Sequence, residues 1–150
     1  MQTFLPYRNF ESCARVLDMK RLGKQRVECL QIMKRLVEGG EGGWSNHPAV
    51  KMWAGYEYAL MSYTRAVCER WRSLGYIDNC EARTEALFEQ LPAERQLPRV
   101  PAWLGLKVLH SSHRANLVRK DPARYGRLFK EAPIEGYWWP TKEGYSSIGD

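Results

Sequence analysis

Glu28 is the residue around which chemistry can be written. Arg21, Lys24, Glu28, Gln31 and Arg35 recur at spacings of three and four, so a helix over residues 17–35 puts them on one stripe. Lys24 precedes Glu28 by one turn, and Arg21 and Arg35 extend the basic character in both directions. Two readings are open. One is a solvated face with an ordinary ion pair between Lys24 and Glu28. The other is a carboxylate in a phosphate-binding groove, able to stabilise a cationic centre and carry protons while its neighbours hold phosphates. His47 offers a second polar group. Asn46 suits a helix cap and Pro48 its first turn, so His47 is either an accessory to the cap or a phosphate contact at a helix start.

A third cluster follows later in the chain. Between residues 107 and 130 stand Lys107, Arg114, Arg119, Lys120, Arg124, Arg127 and Lys130, opposed only by Asp121. His110, Ser111, Ser112 and His113 add donors at its start. The segment is either a solvated basic face or a surface for phosphates, each contact releasing a counterion. Tyr137, Trp138 and Trp139 are consecutive in an otherwise irregular tail. At least two of them are expected to fold back on the body; the alternative is stacking on bases.

Helices must position these groups. The first is expected from Phe10 or Glu11, capped by Asn9, through to Gly39 and Gly40, with Val16, Met19, Leu22, Cys29, Leu30, Met33, Leu36 and Val37 on its buried side. Gly23 lies inside it. A second long helix is expected over 49–73, stopped at Gly75, then a short acidic one over 81–90. The proline-rich stretch 92–101 is a loop too short to divide domains. A helix over 102–120 is followed by a shorter one from Pro122 through Lys130. Met1 to Asn9 reads as an extended arm. Strand-like alternation is scarce, so the class is all-α: a compact single domain on two or three long helices, with an extended N-terminal arm and an irregular aromatic C-terminal tail.

The totals agree with one folded domain. The chain has 150 residues, 44% hydrophobic, and a net charge of +6, which favours polyanionic partners. It has no apolar run of membrane-spanning length, and its first residues carry no secretory pattern, so no membrane association is expected. The cysteines, at 13, 29, 68 and 80, form no metal or redox spacing and fit a reduced, cytoplasmic setting. No nucleotide-binding or zinc motif occurs.

The run L-D-x-x-R-L-G-K-Q-R-V-E at 17–28 and G-W-x-N-H-P at 43–48 resemble the pyrimidine-dimer DNA glycosylase, or endonuclease V, family. The likeness continues in R-x-x-G-Y at 72–76 and S-H-R-A-N-L-V-R-K-D-P-A-R-Y at 112–125. It implies an endonuclease V-like all-α domain that acts, as a nucleoid-associated monomer without metal or cofactor, on double-stranded DNA containing a base lesion. In that family an N-terminal amine attacks C1′ of the damaged nucleotide, forms a Schiff base and cuts the strand by β-elimination. By position the assisting carboxylate is Glu28. The bulky Gln2 leaves Met1 in place, so the amine is that of Met1. Arg21, Lys24 and Arg26 are the expected phosphate contacts beside it, with Arg26 standing in for an arginine that the family carries where this chain has Val27. His47, His113, Arg114, Arg119, Lys120 and Arg124 complete the expected DNA-binding set. A DNA-binding module without catalysis, using the same basic surface, is the alternative.

Overall fold

The structure, a computed structural model, describes residues 1–39, 47–134, 136–141 and 144–146. It is built almost wholly of helices: α1 (Phe10–Val16), α2 (Met19–Glu38), α3 (Pro48–Lys51), α4 (Glu57–Ser73), α5 (Cys80–Phe88), α6 (Lys107–Lys120) and α7 (Pro122–Tyr125). A 3₁₀ turn spans Ala93–Gln96. No helix is long and apolar enough to cross a membrane among the described residues.

The expected first helix is two helices. Asn9 caps α1 by accepting from the Ser12 N–H, as its type and position suggested. The break comes at Leu17 and Asp18, both in extended backbone. Asp18 caps α2 by accepting from the Arg21 N–H, and Tyr125 from the far end of the chain bonds to the Asp18 backbone N–H at 2.8 Å. α2 ends at Gly39, whose φ of 66° closes the last turn with a bond to the Arg35 carbonyl. Because the chain turns at Asp18, Met19 is 55% exposed instead of buried.

The second long helix also divides. α3 stops at Lys51, and Gly55, with φ of 86°, lets the chain turn before α4 begins. α7 ends at Tyr125, short of the expected Lys130. The Asn46 cap lies outside the described residues; His47 itself caps α3, its Nδ1 accepting from the Ala49 N–H at 3.0 Å.

The tail is a hairpin, β1 (Tyr137–Thr141) paired antiparallel with β2 (Gly144–Ser146). The period of two explains the aromatic triplet: Tyr137 and Trp139 are fully buried, while Trp138 is half-buried. The hairpin packs on α6, while α2, α4 and α5 pack on one another and α1 on α4.

Through the middle of these elements runs the arm. Residues 2–6 are all buried and adopt no helix or strand. Their backbone groups are satisfied by side chains where a sheet would supply neighbouring strands. Gln25 of α2 takes the Phe4 N–H and the Gln2 carbonyl. Tyr63 of α4 donates to the Phe4 carbonyl. His113 and His110 of α6 take the Leu5 N–H and carbonyl at 2.9 and 2.8 Å, and Arg114 donates to the Pro6 carbonyl. Trp53 donates to Thr3 Oγ1. The expected arm is therefore an axle around which the helices are fixed.

Candidate active site

The arm delivers the chain's first residues to the middle of α2. There a pocket of about 170 Å³ is lined by Gln2, Phe4, Lys20, Arg21, Lys24, Glu28 and Lys120. Helical spacing brings Lys20, Arg21, Lys24 and Glu28 into it, and Lys120 enters from the last residue of α6.

Glu28 is 4% exposed, so the surface ion-pair reading fails on burial. Lys24 Nζ lies 4.0 Å from Glu28 Oε1, the lysine exposed and the carboxylate enclosed. Oε2 is buried and makes no hydrogen bond among the described residues. Burial raises the Glu28 pKa above its ordinary value. Lys24, the N-terminal amine, Lys120 and the Gln2 backbone amide pull it back without restoring it. The amine's charge also reaches His47, whose pKa is lowered by burial first and by that amine second. The amine thus acts on Glu28 and on His47 together, and the His47 ring meets Trp139 at a centroid distance of 6.0 Å.

Lys120 is the second unusual group. Burial, with Arg119, Arg21 and Lys24 nearby, lowers its pKa to about 8, while Glu28 works the other way. Its Nζ lies 6.0 Å from the centre of the Phe4 ring. Beyond the amine, Met1 borders a further hollow of about 460 Å³ with Gln31, Lys34, Arg35 and Glu38.

The structure thus brings Arg21, Lys24, Glu28 and Lys120 into one pocket, with Arg119 beside Lys120 and with Met1 and His47 linked to it through the amine's charge, and sends the other expected site residues elsewhere. Arg21 also pairs with Asp18 at 3.1 Å. Arg26 points to the opposite side of α2, paired with Asp78 and lying 4.4 Å over the Trp71 ring. His113 is fully buried and neutral, its pKa lowered to about 3 by burial, and it serves the arm. Arg114 bonds Glu131 at 2.7 Å as well as the arm. Arg124 donates to the Val16 carbonyl, and Arg119 contacts Asn116. The exposed part of the basic segment is therefore smaller than its charge count suggests.

Gln2, Phe4, Lys20 and Gln25 are the site's unanticipated members. Gln25 carried a signal: it falls between Leu22 and Cys29 on the buried side of α2, and a buried amide requires partners. Away from the site, Cys68, Asp78 and Glu81 bring ligand-type atoms within 4.8 Å of one another, but Asp78 is bonded to Arg26 and Arg72, and Glu81 to Arg72. That group is an ion-paired latch holding α5 to α2 and α4.

An enclosed carboxylate ringed by cations, within electrostatic reach of a primary amine, suits attack by the amine on an electrophilic sugar carbon flanked by phosphates. A family model described as pyrimidine dimer DNA glycosylase matches residues 1–84, which include the arm, α2 and α4. No curated protein and no solved structure matches the chain.

Proposed function

The chain belongs to the pyrimidine dimer DNA glycosylase family, and from that premise we propose that it excises a damaged pyrimidine and then cuts the strand as an abasic-site lyase, with the Met1 amine as nucleophile and Glu28 as its partner. The amine's lone pair attacks C1′, and the base departs with the electrons of the glycosidic bond and takes up a proton. The amine loses a proton, Glu28 passes it to O4′ as the C1′–O4′ bond opens, and a protonated imine remains. Loss of a proton from C2′ expels the 3′ phosphate, and water releases the sugar fragment from the amine. Glu28 stabilises the cationic centre and carries the proton between these steps. Arg21, Lys24 and Lys120 hold backbone phosphates, and His47 contacts the strand beside the amine.

The observation that carries this reading is the enclosed Glu28 in a basic pocket, within electrostatic reach of the amine. Duplexes containing a single pyrimidine dimer or a single abasic site test it. The parent protein should nick both. Glu28→Gln should bind both and nick either about 10²–10⁴-fold more slowly, the range for a proton-transfer group. Retained nicking in Glu28→Gln contradicts the assignment of Glu28. Salt-sensitive binding by the parent with no nicking of either duplex selects the binding-module alternative.

A further inference from the structure

Beside the Gln2 N–H, which bonds Glu28 itself, the holds nearest the amine come from a single side chain. Gln25 Oε1 accepts from the Phe4 N–H at 2.9 Å, and Gln25 Nε2 donates to the Gln2 carbonyl at 3.0 Å. The pair of bonds brackets Thr3 as a neighbouring strand would. Gln25 is fully buried and stands three residues before Glu28, on the same turn of the same helix. The other backbone holds, from Tyr63, His110, His113 and Arg114, act at the Phe4 carbonyl and beyond, farther along the chain from Met1.

We infer that Gln25 is a positioning residue that fixes the Met1 amine against Glu28 by tying Gln2 and Phe4 to the helix that carries the carboxylate. The inference rests on the amine-and-carboxylate reading above. Carboxylate and grip share a rigid element, so their separation is set by helix geometry. The amine then hangs only one residue beyond a gripped carbonyl, with little freedom left to lose in the reaction. Misplacement by about 1 Å costs roughly 10²-fold in rate.

Gln25→Met keeps the length of the side chain and removes both bonds. Gln25→Asn keeps the amide and shortens its reach, and serves if the methionine variant does not fold. The first reading is the Glu28 carboxyl titration by NMR, with the N-terminus free or acetylated. Lys24 and Lys120 face the same carboxylate and are unchanged throughout. Acetylation removes the amine's charge, so it should push the Glu28 midpoint higher in the parent and move it much less in the variant. The second reading is β-elimination on abasic DNA, where kcat should fall roughly 10²-fold while KM holds. An equal response of Glu28 to acetylation in parent and variant overturns the inference, as does an unchanged kcat in a parent that turns over. The titration needs no turnover. A parent without lyase activity whose Glu28 response still depends on Gln25 contradicts the proposed function and leaves the positioning role standing.

Discussion

At the scale of single residues, enclosure is what separates Glu28 from an ordinary surface acid. Burial makes the folded protein hold the Glu28 proton more tightly than the unfolded chain, whose carboxylate keeps its ordinary value of about 4.5. Between that value and the raised one, the folded state binds more protons, so stability falls as pH rises through the window. Glu28→Gln should therefore melt at a higher temperature than the parent at neutral pH, and the advantage should shrink as pH falls below the ordinary carboxylate range. Melting curves from pH 4 to pH 8 check this; a variant less stable at pH 7 contradicts it. Lys120 gives an independent prediction. With its pKa near 8, it loses its charge in the mildly alkaline range, so duplex affinity should fall between pH 7 and pH 9. Lys120→Met should weaken binding at pH 7 and flatten that fall. An identical pH dependence in the two proteins counts against a phosphate contact by Lys120.

At the scale of elements, α2 carries both halves of the site's support, and its start and close packing decide its stability. Asp18→Ala removes the cap on α2, the ion pair to Arg21 and the anchor for Tyr125. The loss should be about 1–2 kcal/mol in denaturant unfolding, at the upper end for a cap. Gly23→Ala tests packing against propensity. In an open helix it would gain about 1 kcal/mol. Here the added Cβ meets the Trp71 ring at 3.0 Å, and that ring is held between Arg26 and Tyr76, the latter stacked at 4.3 Å. The substitution should destabilise the protein, and a gain would show that Trp71 yields freely. Local signals made much of this readable in advance: Asn9 as a cap, Gly39 as a stop, and the basic stripe with its single acid. The break at Asp18 was not readable, because Leu17 and Asp18 fit a helix interior as well as a junction until Tyr125 arrives from far along the chain. The aromatic tail likewise reads as a strand only once a partner strand pairs with it. The destination of Arg26 depended on Asp78, distant in sequence and brought near only by the turn after α4.

At the scale of the whole molecule, the helices converge on residues 2–6. Three helices and the turn after α3 grip residues 2–6, so the arm's position is set by the entire core. Cations from α2 and α6 surround Glu28 in the pocket that the arm helps to line. Borohydride reduction of the protein on an abasic duplex, followed by digestion and mass mapping of the trapped peptide, shows whether the Met1 amine is the nucleophile. A covalent adduct on the amine of Met1 is expected, lost when the terminus is acetylated beforehand. An adduct on Lys120 or on any other lysine, or no adduct while the strand is cut, rules out Met1 as the nucleophile.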